Sequence, residues 1–232
     1  MKVLVGCETS GTVRDAFLAA GHDAWSCDVL PSDTPSNRHI TGDIRDVMQG
    51  DFNLLAVMHP PCTRLCNSGV RWLHKAPPGR TLPEMWAELD DAAELFSALW
   101  NVSHIPMVAV ENPVMHKHAK RRIVNYEPFA QTVQPWQFAK TEDSDDNVKK
   151  RTCFWLRNLP KLTPTGNLDG STARDECRPV GRCRAFRRET TMTSEQEYEL
   201  GQAMLTHEKA IDRSYMAINS GVSYQRPFPN RT

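Results

Sequence analysis

Short apolar runs recur along the chain and are separated by polar or glycine-containing turns. These runs are Val3 to Cys7, Ala24 to Cys27, Leu54 to Met58, Met107 to Val110 and Thr152 to Leu156. Apolar runs of this length, bounded by turn residues, are typical of strands buried within a sheet. The pattern therefore predicts a strand at each of these positions.

Helical periodicity appears between several of the apolar runs. Val13 to Ala20 is amphipathic and is followed by Gly21, a residue type that commonly ends helices. From Glu84 to Trp100 the apolar residues recur with the period of a helix. A further helix is predicted after Thr193 or Ser194, since both are good N-terminal caps.

Strands that alternate with helices indicate an α/β fold in which helices cover both faces of a mostly parallel sheet. In such sheets, ligands bind beyond the carboxyl ends of the strands. Four of the predicted strands end in polar residues suited to chemistry. These are the segment Glu8 to Gly11, Asp28, the segment Pro60 to Cys62, and the segment Glu111 to Pro113. The sequence therefore predicts a functional site at this edge.

The composition fits one globular domain. The chain has 232 residues, of which 40% are hydrophobic and 24% charged, so it can bury a sizeable core. We expect a core of residues 1–156, followed by an Arg- and Pro-rich insertion or vestigial recognition segment at 157–192. A C-terminal helix and tail, residues 193–232, are expected to pack on the core.

Neither a membrane partner nor a bound metal is expected. No apolar stretch approaches the ~20 residues that cross a bilayer, and Met1 to Cys7 resembles a strand rather than a secretory leader. A cytoplasmic protein is therefore expected. The seven cysteines are odd in number and irregular in spacing, which argues against a disulfide framework. Cys62 and Cys66 have a spacing used by some metal sites, but no second pair completes one.

Positive and negative charges balance over the chain but not along it. Lys and Arg number 28, as do Asp and Glu, so the net charge predicts no nucleic-acid partner. Residues 114–188, however, carry sixteen Lys or Arg and eight Asp or Glu. This segment is either a wall that faces phosphate groups or a patchwork of solvated surfaces.

The loop after the first strand and two later acids indicate a cofactor site. Ser10 and Gly11 form a tight turn that lets the backbone approach a ligand closely. Asp28 is placed to accept hydrogen bonds from ribose hydroxyls, and Asp43 to accept one from an exocyclic amine. Because the loop lacks the glycine pattern of a triphosphate cradle, it favours an adenosine-containing ligand without a long phosphate chain. The alternative is that both acids cap helices.

Two further motifs carry potential chemistry. Pro60 and Pro61 fix the backbone as it leaves the sheet and would hold Cys62 rigidly at the active edge. An inert, buried cysteine is the alternative. Glu111, at the end of a buried strand, would have a raised pKa if buried, and a protonated carboxyl can donate to a ring nitrogen. The alternative for Glu111 is an ion pair with an arginine of the basic segment.

Taken in order, the segments C-E-T-S-G-T-V, W-S-C-D, G-D, P-P-C and E-N-P resemble the motifs of the cytosine-C5 methyltransferases. The similarity is strongest to the short, mostly phage- and prophage-associated members of that family. The matching segments are His59 to Thr63, Asn67 to Trp72, Glu111 to His116, Gln134 to Phe138 and Thr152 to Leu156. The resemblance covers roughly residues 1–165.

The resemblance implies a Rossmann-like class I methyltransferase fold, with a sheet of the seven-stranded type, and S-adenosylmethionine as the cofactor. Cys62 would add to C6 of a cytosine and Glu111 would bind N3 and the 4-amino group, while Arg151 matches a late arginine motif. The implied cofactor-binding residues are Cys7, Glu8, Ser10, Gly11, Thr12, Asp28, Asp43 and Pro60. The implied substrate-binding residues are Pro61, Asn67, Ser68, Asn112 and Pro113.

The chain also departs from the family pattern. Thr9 stands where the first loop usually has glycine, Cys66 where these relatives usually have serine, and Pro113 where larger members have valine. Full-size enzymes carry a long target-recognition region, and residues 157–192 are too few for a comparable domain.

Several functions remain open. The resemblance favours methyl transfer to cytosine in DNA, with the target base flipped out of the duplex. The same chemistry on a cytosine nucleotide or on RNA suits a compact protein without a reading domain. A non-catalytic accessory relative that binds DNA or the cofactor is a third possibility, and a redox or metal protein is the weakest. The sequence gives no indication of the oligomeric state.

Overall fold

The computed structural model describes residues 1–175, which form a seven-stranded mixed sheet with helices packed against it. The strands of this sheet are β1 (Lys2–Gly6), β2 (Asp23–Asp28), β3 (His39–Thr41), β4 (Leu54–Val57), β5 (Met107–Pro113), β6 (Gln131–Val133) and β8 (Thr152–Arg157). The short strand β7 (Val148–Lys149) lies between β6 and β8 in the chain and pairs with β9 (Arg174–Asp175) in a separate two-stranded sheet. The helices are α1 (Thr12–Ala19), α2 (Ile44–Val47), α3 (Leu82–Trp100) and α4 (Lys117–Lys120), with 3-10 helices at Val70–Leu73 and Pro135–Gln137.

The strands of the sheet follow the order β3-β2-β1-β4-β5-β8-β6. The first five strands run parallel to one another, whereas β8 runs antiparallel to both β5 and β6. The prediction of an α/β chain with a mostly parallel sheet is therefore confirmed. All five predicted strands are present as β1, β2, β4, β5 and β8.

The two predicted helices of the described residues are also present, with shifted ends. α1 ends before Gly21, whose φ of 86° is the left-handed conformation that glycine adopts without strain. α3 begins before the predicted Glu84 because Thr81 and Glu84 form a capping box, in which each side chain accepts from the backbone N–H of the other residue. The C-terminal helix predicted after Thr193 or Ser194 lies outside the described residues.

The apolar side chains of the sheet divide between two hydrophobic clusters. Val3 and Val5 pack with Val13 and Phe17 of α1 in one cluster. Leu4 belongs to the other cluster, together with the buried residues of α3. Because neighbouring residues of a strand point to opposite faces, α1 and α3 cover different sets of β1 side chains.

Within residues 1–175, the sequence pattern missed four short strands and misplaced the end of β5. β3 and β6 have three residues each, and β7 and β9 have two each, which is too few for a pattern of alternating positions. β5 continues beyond Val110 to Pro113 because Glu111, Asn112 and Pro113 pair with the antiparallel β8. The polar motif at these positions therefore lies within the sheet rather than in a loop after it.

Several residues that follow position 156 pack against the core of the sheet. The Gln131 side chain makes two hydrogen bonds of 2.7 Å to the backbone of Leu162, which is buried in the cluster that contains Phe17. Gly166 lies so close to Ala139 that a Cβ at Gly166 would be 2.4 Å from the Ala139 carbonyl oxygen. Residues 157–175 thus continue to contact the core, and the rest of the proposed segment 157–192 and the tail lie outside the described residues. No helix of residues 1–175 has the length and apolar character to cross a membrane.

Candidate functional site

Four neighbouring parallel strands bring the predicted site residues to one edge of the sheet. β2, β1, β4 and β5 lie side by side and point the same way, so their carboxyl ends share an edge. Asp28 ends β2 and the loop from Cys7 follows β1. The loop with Cys62 follows β4, and Glu111 lies near the end of β5. The convergence predicted from the apolar runs is therefore present at the level of the strands.

The loop after β4 forms a compact turn around Cys62. The backbone N–H groups of Leu65 and Cys66 donate to the Cys62 carbonyl at 2.9 and 3.0 Å. Pro60 is buried and Pro61 is exposed, so the prolines carry the chain from the core to the surface. The Cys62 residue is partly exposed and forms no disulfide. Cys62 is thus held at a defined position in a turn that solvent reaches.

The loop that carries Cys62 is joined to the segment that follows Glu111. An isolated antiparallel bridge links Cys66 to Met115. On its two sides, the Asn67 N–H donates to the Val114 carbonyl at 3.0 Å and the His116 N–H donates to the Leu65 carbonyl at 3.1 Å. Because β4 and β5 are also neighbours in the sheet, this bridge holds the Cys62 turn against the end of β5.

His116 makes a second link between the same two segments. Its Nε2 lies 2.7 Å from the Arg64 carbonyl, and its Nδ1 accepts from the Ala119 N–H at 3.0 Å, which caps α4. A carbonyl can only accept and an amide N–H can only donate, so the proton lies on Nε2 and the ring is neutral. Burial of the ring lowers the pKa of His116, which favours this form. From sequence alone, His116 belongs to one of the matching segments and has no predicted role.

Gly69 and Cys66 explain the compactness of the turn. A Cβ at Gly69 would lie 1.8 Å from the Thr63 carbonyl oxygen, a distance that no side chain tolerates. The Cys66 thiol lies 3.7 Å from that carbonyl oxygen and 3.0 Å from the Ser68 Oγ. Cys66 therefore occupies a serine-like hydrogen-bonding position. Asn67 and Ser68, predicted to contact substrate, are exposed beside this turn.

Glu111 and Asn112 are both completely buried at the end of β5. As adjacent residues of a strand they point to opposite faces, with Phe154 opposite Glu111 and Cys153 opposite Asn112. The Asn112 side-chain amide has no hydrogen-bond partner among residues 1–175, which is unusual for a buried polar group. Burial, followed by the nearby charge of Glu111, raises the pKa of Cys153 to about 11, so this thiol is not activated.

Arg151 lies at the same edge as Glu111. It immediately precedes β8, whose first residue, Thr152, pairs with Pro113 at the end of β5. The Arg151 side chain is exposed, and its positive charge acts on Cys153 against the effect of Glu111. The antiparallel pairing of β8 thus brings the predicted late arginine to the site edge, forty positions after Glu111.

Glu8 and Ser10 turn their side chains toward the start of α1. The completely buried Glu8 carboxylate accepts from the backbone N–H groups of Val13 at 2.7 Å and Arg14 at 3.4 Å. The Ser10 Oγ accepts from the Thr12 N–H at 3.2 Å. These contacts satisfy helix N–H groups in the place of a conventional N-cap. A role for Glu8 and Ser10 toward a ligand would therefore be indirect.

Gly11 and Cys7 give the loop after β1 its shape. Gly11 has a φ of 77°, and a Cβ there would lie 2.2 Å from the Arg14 guanidinium. Cys7 also has a left-handed backbone, with a φ of 56°. Burial, and then the charge of Asp28, raises the pKa of the Cys7 thiol, which disfavours its thiolate form. The loop presents backbone rather than reactive side chains.

Asp28 and Asp43, the two acids predicted to bind the cofactor, differ in how many bonds their carboxylates already accept from the protein. One oxygen of Asp28 accepts from the Leu30 N–H at 2.9 Å. Asp43 caps α2 by accepting from the Arg45 N–H at 2.8 Å and also pairs with the Arg45 guanidinium. These bonds from Arg45 hold the pKa of Asp43 below its usual range. The capping alternative describes Asp43, while its role toward an adenine amine stays a prediction.

A buried polar chain that the sequence analysis missed lies beneath these loops. The Arg14 guanidinium, almost fully buried, donates to the Ser26 Oγ at 3.0 Å, and Ser26 lies 2.9 Å from His39 Nδ1. His39 Nε2 in turn lies 3.0 Å from the Leu30 carbonyl. Since a carbonyl only accepts, His39 donates from Nε2 to Leu30, and in the neutral tautomer its Nδ1 then accepts from the Ser26 hydroxyl. This chain connects the start of α1 to the segment after Asp28.

The comparison with protein-family models found no match for the chain, and the search of curated proteins found none either. Among the described residues, no group of three or more His, Cys, Asp or Glu side chains is arranged to hold a metal ion.

Proposed function

We propose that this protein transfers a methyl group from S-adenosylmethionine to C5 of a cytosine in DNA, with Cys62 as the nucleophile. The order of strands, with β8 as an antiparallel insertion between β5 and β6, supports a Rossmann-like class I methyltransferase fold. The separate packing of α1 and α3 in two clusters fits helices on both faces of the sheet. The ordered motifs of the sequence supply the link to cytosine chemistry.

The observation that carries the proposal is the junction between the Cys62 turn and the end of β5. The Cys66–Met115 bridge and the His116–Arg64 hydrogen bond fix two segments that are far apart in the chain. One segment carries a partly exposed thiol and the other follows a fully buried carboxyl group, Glu111. A nucleophile and an acid held at one sheet edge are the arrangement that addition to a cytosine ring needs.

The proposed chemistry assigns each residue a definite step. The Cys62 thiolate forms a bond to C6 of the ring, and the carboxyl group of Glu111, in its protonated form, donates to N3 as negative charge develops there. C5 then gains the methyl group and loses its proton to a base. The Cys62–C6 bond breaks, which returns the thiolate and restores the aromatic ring. Arg151 would orient the base from the same edge.

The residues of the β1 and β2 loops fit S-adenosylmethionine, which supplies an electrophilic methyl group when bound. Gly11 allows a close approach of backbone to the methionine part. Asp28 is only partly buried and retains acceptor capacity for ribose hydroxyls. The adjacent Val29 and Leu30 are 71% and 61% exposed, which offers an apolar surface for the adenine ring.

Methyl transfer from radiolabelled cofactor tests the proposal. Duplex DNA, RNA and dCMP are incubated separately with the protein, with Cys62→Ala and with Cys66→Ser. We expect label in DNA with the unmodified chain and with Cys66→Ser, which keeps the hydrogen bonds of the turn, and none with Cys62→Ala. Label in no substrate would refute the enzyme, and label with Cys62→Ala would refute the nucleophile.

A covalent trap tests the mechanism independently. DNA that contains 5-fluorocytosine cannot lose a proton from C5, so the Cys62–C6 bond should persist after methyl transfer. We expect a protein–DNA adduct that survives denaturation and maps to Cys62 by mass spectrometry. An adduct on another cysteine, or none from a chain that methylates ordinary DNA, would contradict the assigned step.

A further inference from the structure

The two segments that leave the site edge are entirely free of acidic residues. Residues 62–83 follow the nucleophile and contain four Lys or Arg and no Asp or Glu. Residues 112–126 follow Glu111 and also contain four Lys or Arg and no Asp or Glu. The chain as a whole has as many acids as bases, so this distribution is local to the site.

The fold places these segments side by side. The Cys66–Met115 bridge joins their first halves. Further along, the ring of His74, which follows the 3-10 helix Val70–Leu73, lies 6.0 Å from the ring of His118 on α4. Trp86 of α3 packs edge-on to the same His118 ring at 5.3 Å. The 3-10 helix and α4 therefore form one surface that adjoins the Cys62 turn.

Three of these eight cations form ion pairs, the half-buried Lys120 lies 5.8 Å from the centre of the Tyr126 ring, and four are exposed without an ion pair to residues 1–175. Arg64 and Arg80 pair with Glu88, and Arg122 pairs with Asp90. The four exposed cations without an ion pair to any residue of 1–175 are Arg71, Lys75, Lys117 and Arg121. We call these four residues the cationic surface.

The local electrostatics agree with this description. The pKa of His118 is lowered by desolvation and by the positive charges of Lys117, His116, His74 and Arg121. Nearby positive charges disfavour the protonated form of an imidazole, so their contribution to the lowered pKa indicates a positive electrostatic potential around His118. Arg71 also lies over the Trp72 ring at 4.4 Å, which adds a flat, partly exposed aromatic face beside the cations.

We propose that the cationic surface binds the sugar–phosphate backbone of the polynucleotide that carries the target cytosine. This inference rests on the proposed function and makes it more specific. A nucleoside monophosphate has one phosphate group, and even the contiguous phosphates of a triphosphate cannot engage four cations spread over two segments, whereas successive phosphates of a strand can. The Trp72 face beside Arg71 suits a base or sugar next to the displaced cytosine.

The test compares two variants of the full chain with equal changes of charge. Lys117→Gln/Arg121→Gln removes two charges from the cationic surface, and Lys2→Gln/Lys161→Gln removes two charges elsewhere. Binding to a fluorescent cytosine-containing duplex is measured by anisotropy across salt concentrations, and thermal melting checks that both variants are folded. Activity on dCMP is measured in parallel.

The expected result concerns both affinity and its salt dependence. Lys117→Gln/Arg121→Gln should raise the dissociation constant about tenfold and reduce the slope of log K against log salt by about 1.8, since each B-DNA phosphate contact contributes about 0.9. The control variant should match the unmodified chain, and Arg71→Gln alone should reduce the slope by about half as much.

The outcomes separate this inference from the proposed function. Duplex binding that is absent, or equally weakened by both double variants, overturns the cationic surface whether or not methyl transfer occurs. Methyl transfer to dCMP without duplex binding also overturns it, while leaving the Cys62 chemistry intact. Binding lost only in Lys117→Gln/Arg121→Gln supports the surface even when no substrate is methylated.

Discussion

The two halves of the candidate site are built in different ways. In the half formed by the β1 and β2 loops, polar side chains point back into the protein, as with Glu8 on the start of α1 and Arg14 on Ser26. In the half formed by the segments after β4 and β5, the bridge between Cys66 and Met115 links backbone to backbone, and the His116 side chain adds one bond to the Arg64 carbonyl. The first half is stabilised mainly by buried side chains and the second mainly by strand-like pairing.

This difference has a consequence for the chemistry of each half. Side chains that stabilise a loop are not available to a ligand, so the first half offers mainly backbone, Asp28 and exposed apolar residues. Where the backbone provides the links, the side chains remain available. In the second half, Cys62 is partly exposed, and Asn112 is buried without a hydrogen-bond partner within residues 1–175.

The largest effect is expected from Glu111 in the second half. Glu111→Gln keeps the shape of the side chain but cannot supply the proton of a carboxylic acid, so kcat for methyl transfer should fall about 10²- to 10³-fold, as for the loss of one oxyanion donor. Steady-state kinetics would measure this fall. Glu127→Gln, an exposed residue, serves as the control. A kcat unchanged by Glu111→Gln would show that the acid does not act on the substrate.

The backbone pairing of the second half is tested at Gly69. Gly69→Ala places a Cβ against the Thr63 carbonyl oxygen, so the turn must open. We expect a loss of about 3 kcal/mol in the free energy of unfolding, the upper end for overpacking. Gly42→Ala is the control because its Cβ would meet no atom within 4 Å. Equal stabilities in urea unfolding would mean that the turn is not rigid.

The buried side chains of the first half are tested at Ser26. Ser26→Ala removes the acceptor of one Arg14 N–H in a buried setting, which should cost about 1–2 kcal/mol of unfolding free energy. It should also raise KM for S-adenosylmethionine while leaving kcat nearly unchanged, because the chain through His39 orients the segment after Asp28. Ser103→Ala, at an exposed position, is the control. A change in kcat alone would contradict the assignment of cofactor binding to the first half and of the chemical step to the second.

The smallest effect is a pH dependence that arises from His116. Burial lowers the pKa of His116 in the folded state, so the unfolded chain binds more protons just below the ordinary value of 6.5. Stability from the neutral ring is therefore present above that pH and decreases as the pH falls toward the folded pKa. Urea unfolding at several pH values should show a shallower decrease for His116→Asn than for the unmodified chain. His104→Asn should keep the full decrease.

Much of this architecture could be predicted because short-range patterns dictate it. Apolar runs located β1, β2, β4, β5 and β8, and the period of α3 located its helix to within two residues. Polar residues at strand ends indicated the edge at which the site would form. What the pattern missed depends on partners far along the chain, such as the extension of β5 through Glu111 by pairing with β8.

The roles of the acidic side chains at the site also depend on contacts that the sequence does not show. From sequence, Glu8 and Asp43 were ligand candidates like Asp28, because an acid after a strand has the same appearance whether it binds a ligand or caps a helix. The structure separates them by the N–H groups they meet, which are those of Val13 and Arg14 for Glu8 and that of Arg45 for Asp43. Such contacts depend on where the next helix begins in space.

The sequence by itself determined which segments would be strands and helices and which edge would collect Cys62, Asp28 and Glu111, because hydrophobic periodicity and strand direction are local properties. Only the tertiary structure decided that His116 holds the Cys62 turn, that Arg151 reaches the same edge, and that two acid-free segments form one surface. These relationships arise from packing between residues distant in the chain, and no local pattern encodes a distance of that kind.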